Sequence, residues 1–132
     1  MAQRTGDTGL AEERPALWTG HIVLRGADPG RSGAFYEKLG MRPVFVRGDF
    51  AIMELRGGTH LVIRKDPESP GEPAAFDFMV EDLDSTHEAW AAMGVEVSAI
   101  ARDERDIHWM FTVTDPDGNT VVVNDSHVVG NV

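Results

Sequence analysis

Two stretches decide the fold: His21–Met41, HIVLRGADPGRSGAFYEKLGM, and Ala75–Val95, AFDFMVEDLDSTHEAWAAMGV. Laid in register, His21 falls on Ala75, Asp28 on Asp82, Phe35-Tyr36 on Ala89-Trp90 and Gly40 on Gly94, each pair 54 residues apart. In both, an apolar run ends in an Asp and a Gly follows twelve residues later. An Asp there can accept a bond from a free backbone N–H at a helix start. Pro29 suits the first helical turn, where its missing donor costs nothing. A Gly after a helix supplies the left-handed cap. Each copy therefore reads strand, Asp cap, three-turn helix, Gly stop, and the chain is an internal repeat.

Outward from these stretches the repeat continues. Strand-like runs follow the first helix at Arg42–Arg47, Phe50–Leu55 and His60–Lys65, and the second at Val95–Ile100, Ile107–Thr114 and Thr120–Asn124. Arg56-Gly57-Gly58 and Asp115-Pro116-Asp117-Gly118 are turns between the last two strands of each half. Gly58 and Gly118 stand 60 residues apart, so the second half carries about six extra residues, which fall in the polar ARDERD stretch. Module one spans about 20–66 and module two about 75–126; the linker, 67–74, is rich in Pro and Gly. Residues 1–17 are polar and aperiodic, a flexible arm ahead of one domain at 18–132.

The bulk properties agree with one soluble globular domain: 132 residues, 42% hydrophobic and 26% charged. With no cysteine, disulfides and thiolate chemistry are excluded. The net charge of −10 argues against a nucleic-acid partner, which needs clustered Lys and Arg, and would attract a cationic ligand. No apolar run suggests a leader or a membrane span, so the expected location is the cytoplasm, with no membrane partner.

In this order and spacing, His21, Asp28 to Gly40 with Phe35-Tyr36 and Leu39-Gly40, Val80-Glu81-Asp82-Leu83-Asp84 and Asp115-Pro116-Asp117-Gly118-Asn119 resemble the vicinal oxygen chelate superfamily, the glyoxalase, bleomycin-resistance and dioxygenase group. The resemblance covers about residues 20–126 and is nearest to the bleomycin-resistance-like members. It implies an α+β fold in which two βαβββ modules form an open, cup-shaped mixed sheet, and it implies a homodimer. In the family's metalloenzymes, ligands start the first strand and lie on the last strand of each half. Carried across, those positions are His21, Val62, Ala75 and Val122. Three of the four have no donor, and a lone His does not hold a catalytic metal tightly. The expectation is therefore no cofactor, with His21 the one residue left that could touch a divalent metal.

Strand parity gives the lining of the cup. Inward-facing candidates for ligand binding are His21, Arg25, Phe50, Glu54, His60, Arg64, Asp77, His108, Met110, Thr112 and Asn124. The opposite faces carry Ile22, Leu24, Met53, Leu55, Leu61, Ile63, Phe76, Phe78, Val121 and Val123, which should pack under the helices. Charges on an inward face are expensive unless paired or wet, and a solvated binding cavity explains them. The plainer alternatives are that Asp77 pairs with Arg25 or Arg64, that His60 lies at a rim, and that Trp18 and Trp90 only pack. His127 could reach a pocket edge or a partner subunit.

The resemblance and the charge together imply metal-independent binding of a small molecule, with antibiotic sequestration as one form. Phe50 and His108 would stack on a flat ligand, and Glu54 and Asp77 would meet cationic groups. The alternative is a glyoxalase-like lyase or isomerase, or a dioxygenase-like enzyme, using His21, His60, His108 and Asp77 for acid–base chemistry. It could instead use an unusual metal site from His21, His60 and Asp77. A sensor or carrier acting through a partner protein is a third possibility.

Overall fold

The structure, a computed structural model, describes residues 14–128. Most of the expected N-terminal arm, residues 1–13, lies outside the described residues. Residues 14–20 have no regular structure, and Trp18, expected to pack, is 65% exposed. The first module runs β1 (His21–Gly26), α1 (Pro29–Leu39), β2 (Arg42–Val46), β3 (Phe50–Glu54), a 3-10 turn (Arg56–Gly58) and β4 (His60–Lys65). The second runs β5 (Pro73–Val80), α2 (Leu83–Ala92), β6 (Glu96–Val97), β7 (Ala101–Arg102), β8 (Trp109–Thr114) and β9 (Thr120–Asp125). Among the described residues no helix is long and apolar enough to cross a membrane.

The repeat is visible in the caps. The Asp28 carboxylate accepts from Arg31 N at 3.2 Å, and Asp82 accepts from Ser85 N at 3.0 Å. Gly40 and Gly94 both take positive φ after their helices, at 120° and 82°, where a side chain would be strained. Each module folds into its own open mixed sheet, ordered β1-β4-β3-β2 and β5-β9-β8-β6, with β7 also paired to β8. In each, the first strand runs parallel to the last, and the last is antiparallel to its hairpin partner. The registers match as the spacing requires: Val23 lies opposite Val62, and Asp77 opposite Val122.

One departure lies in the expected strand Val95–Ile100, which is broken into β6 and β7. The His87 ring bonds the Ser98 carbonyl at 2.7 Å, so Thr112 N donates instead to the Ser98 hydroxyl at 2.8 Å. Ser98 N still donates to Thr112 O at 2.9 Å, so only the return bond of the ladder is diverted, and the extra residues of module two form β7 and a tight turn through Asp106 (φ 58°). β5 starts at Pro73, two residues earlier than the expected module boundary, because Glu72 N donates to Asn119 Oδ1 and Glu72 O accepts from Thr120 N.

The faces turned toward the helices form one core spanning both modules, with Tyr36, Met53, Leu61, Ile63, Phe111, Val121 and Val123 essentially inaccessible. Burying each large apolar side chain contributes about 1.5–3 kcal/mol. Tyr36 and Trp90, equivalent by the repeat, are both buried, the first against Phe78 and the second against Phe111.

The modules are joined by the turn Asp115–Asn119. Asp117 accepts from Ala27 N at 2.9 Å, from the Ser32 hydroxyl at 2.6 Å and from the Arg31 guanidinium at 3.1 Å. The Tyr36 hydroxyl donates to Asp115 at 3.0 Å, and Asn119 Nδ2 donates to Arg25 O at 2.8 Å. Burial, reinforced by the Asp115 charge, pushes the Tyr36 phenol far above its ordinary range, so it stays a neutral donor. At the opposite end Arg56 reaches Glu81 at 3.3 Å.

Asp117→Ala leaves the buried Ser32 hydroxyl and a backbone N–H without their partner and should cost about 2–4 kcal/mol in urea unfolding. Gly26→Ala should act in the same direction, because its Cβ would stand 2.3 Å from Asp117 Oδ2. Asp28→Ala, which removes only a helix cap, should cost about 1 kcal/mol.

Candidate functional site

The strand faces away from the helices are the open side of the molecule. On sheet one the registers align three rows across β3, β4 and β1: Glu54–His60–His21, Ile52–Val62–Val23 and Phe50–Arg64–Arg25. The six sheet-one residues expected from sequence therefore fall on one surface, divided between its two ends.

At the first end the His60 ring lies 3.3 Å from Glu54 Oε1, the other Glu54 oxygen is paired with Arg42, and the His21 ring meets the His60 ring edge-on at 5.9 Å. The His60 hydrogen bond, then Arg42, hold the Glu54 carboxyl below its usual range. Glu54 is thus matched by Arg42 and His60, not by Arg25 or Arg64. At the other end Arg25 meets Asp66 at 3.7 Å. Arg64 is exposed and has no carboxylate within ion-pair distance among the described residues.

Three residues here were not singled out from sequence: Arg42, Phe45 and Arg47. The β2–β3 register shifts between Pro43 and Phe45: Phe45 faces Ile52 in the register of the Gly48-Asp49 turn, and beyond the shift Arg42 faces Glu54. Proline has no N–H for a ladder, and such irregularities are found beside it. On the turn side of the shift the Phe45 ring stacks on Phe50 at 5.1 Å and 19°, with the Arg47 guanidinium 5.3 and 5.7 Å from the two centroids. A hairpin count from Gly48-Asp49 puts Arg47 and Phe45 on the open face but sets Arg42 opposite Leu55, so the pairing of Arg42 with Glu54 needs the shift, which alternation does not anticipate.

On sheet two, Asp77, Val122 and Thr112 lie in one row and Met79, Asn124 and Met110 in the next. Asn124 Nδ2 donates to Asp77 Oδ2 at 2.6 Å, so Asp77 is matched by an amide rather than by Arg25 or Arg64. The loop Arg102–His108 borders a cavity of about 580 Å³ with Asp77, Met110, Val122 and Asn124. Asp103 fixes that loop by accepting from Ile107 N and His108 N at 2.8 and 3.3 Å, and these bonds hold its carboxyl below the usual range. His108 Nδ1 sits 3.4 Å from Asp125, and its ring lies 4.9 Å from that of His127. Trp109 points away from this face, half exposed beneath Arg102.

The four positions at which the resemblance implies metal ligands carry His21, Val62, Ala75 and Val122, and the valine and alanine side chains have no donor atom. This set does not fit a divalent ion. The unusual set of His21, His60 and Asp77 is not grouped either: among the described residues no cluster of three or more His, Asp or Glu is placed to hold a metal.

Several solved structures share the fold. A bleomycin-binding protein from bleomycin-producing Streptomyces verticillus, complexed with copper(II)-bleomycin, matches at TM-score 0.67 and 23% identity over 86% of this chain and 100% of that one. A bleomycin resistance determinant encoded on the transposon Tn5 matches at 0.66 and 21%, over 84% and 99%. A lactoylglutathione lyase from Agrobacterium tumefaciens matches at 0.67 and 20%, over 86% and 96%. No curated protein sequence matches the chain. The sequence model of the glyoxalase/bleomycin resistance protein/dioxygenase superfamily matches residues 18–123, nearly the whole of the two modules described above, and the chain belongs to that superfamily.

Proposed function

We propose that this protein binds a small organic molecule in its cup without a metal ion, in the manner of a sequestering or resistance protein. The observation that carries this is the contrast between the faces of the sheets. The helix-side faces are a closed apolar core, whereas the other faces mix His, Arg, Glu and Asp with Phe and Met around open space. Ligand sites have that composition: apolar walls with a few placed polar groups. The net charge of −10 and the ionised Glu54 favour a ligand bearing a cationic group. The bleomycin-binding relatives of the same fold support the reading, and bleomycin-type compounds are the first ligands to try.

A homodimer is part of the proposal. Val44, Phe45 and Val46 on the edge strand β2 are 50, 39 and 46% exposed, an apolar strip that a second copy would cover. The rival reading, a lyase or isomerase, is favoured by one contact: Glu54 orients His60 as a carboxylate orients a general base.

Purified protein should contain no stoichiometric metal, and nickel, manganese, zinc or iron(II) should leave its melting temperature unchanged, whereas a bleomycin-type ligand should raise it. Stoichiometric metal lost on His21→Ala would overturn the metal-free reading. By carbon-detected NMR, Glu54 should titrate below the ordinary carboxylate range. His60→Ala should move it up more than Arg42→Ala does, because the imidazole bond is the larger cause. The sign follows: a depressed folded-state pKa gives a contribution that is present at neutral pH and fades as the pH falls through that value.

A further inference from the structure

The two copies of the repeat differ most at the ends of their open faces. By the 54- and 60-residue spacings, Arg25, Arg64 and Phe50 of module one correspond to Met79, Asn124 and Met110 of module two. Likewise His60 and Glu54 correspond to Thr120 and Thr114. Module two builds the same ladders with uncharged residues at these points. The fold therefore does not require the charges on module one, and another cause must account for them.

Their arrangement is directional. Glu54, His60 and His21 share one row, Phe50, Arg64 and Arg25 another, and the row between them, Ile52, Val62 and Val23, is wholly apolar. His60 and Arg64 are four residues apart on β4, which at the strand rise separates the rows by about 13 Å. One end offers a carboxylate already ionised and an imidazole. The other offers Arg64, whose guanidinium has no carboxylate partner among the described residues, beside the Phe45–Phe50 stack and Arg47.

Resting on the small-molecule reading above, we propose that the open face of module one is a two-ended subsite for an elongated zwitterion. An aromatic carboxylate sits at Arg64 and Phe50, an apolar spacer crosses Val62, and an ammonium or similar hydrogen-bond donor meets Glu54 and His60. Arg64 takes the carboxylate in a bidentate fork, and Phe50 carries the aryl plane. The spacing of the rows makes length a determinant of specificity, which a purely cationic site would not show.

The test uses full-length protein and calorimetric titration with 4-(ω-aminoalkyl)benzoates of increasing methylene number, alongside benzoate and hexylamine as one-ended probes. Affinity should peak at about four methylenes, where the two charges approach the span of the rows, and fall on either side. Arg64→Ala should weaken the two-ended probes about tenfold or more, the scale of one charge-assisted hydrogen bond, and leave hexylamine unaffected. Glu54→Gln should do the reverse, weakening hexylamine and sparing benzoate. Affinity independent of length, absence of binding by every probe, or equal loss of all probes in both variants overturns the subsite. Bleomycin binding with no preference for two-ended probes also overturns it while leaving the general small-molecule reading in place. Dissociation of a dimer by Arg64→Ala in sedimentation would assign this face to a subunit contact and overturn it equally. Melting curves separate lost recognition from lost folding: Arg64→Ala should melt as wild type does, and Glu54→Gln, which gives up the charge shared with Arg42 and His60, should melt slightly lower but still cooperatively.

Discussion

The side chain of Asp117 lies almost wholly buried between the two modules, receiving a backbone N–H, a serine hydroxyl and an arginine from the segment that leads into and opens α1. Among the described residues each sheet forms its own ladder, and no ladder bond joins one to the other. The relation between the two open faces therefore depends on this turn, on Asp115 beneath Tyr36 and on Asn119 against Arg25 O. Buried carboxylates are costly unless fully matched, and each donor here meets an acceptor, so the contact has one favourable geometry. No buried side-chain polar atom among the described residues lacks a partner.

With the halves fixed, the duplicated architecture separates a repeated core from open faces that differ. The helix-side residues repeat in kind between modules: Tyr36 with Trp90, Met53 with Val113, Leu61 with Val121 and Ile63 with Val123. The open faces do not repeat. One is charged at both ends, and the other is nearly neutral, holding Asp77 against Asn124 beneath an irregular loop. Packing constrains the first set through volume and shape. The second set carries no such packing constraint, and the core is complete although Val62, Ala75 and Val122 on the open faces have no donor atom.

The loop between β7 and β8 is the clearest local asymmetry. His87 engages the Ser98 carbonyl, the regular strand ends after Val97, and the chain turns under Asp103 to wall a cavity with Asp77, Met110, Val122 and Asn124. A helix side chain thus reshapes the cup from outside it.

The sequence alone determined the repeat, the two Asp caps, the face that would be core and the absence of family metal ligands. These follow from spacing, parity and side-chain chemistry, which are local or strictly periodic. It also expected eleven residues to line the cup; the strand registers set ten of them on the open faces of the two sheets, and His108 lies just ahead of β8. It did not reveal who pairs with whom. Asp77 chose Asn124 and Glu54 chose Arg42 and His60, because partners across a ladder depend on register to one residue. Arg42 reached Glu54 only through a register shift that alternation cannot anticipate, and Trp18 found no core. Those outcomes belong to the tertiary structure, where a single inserted or displaced residue reverses a side chain's direction and contacts between segments some 85 residues apart decide which charges are matched.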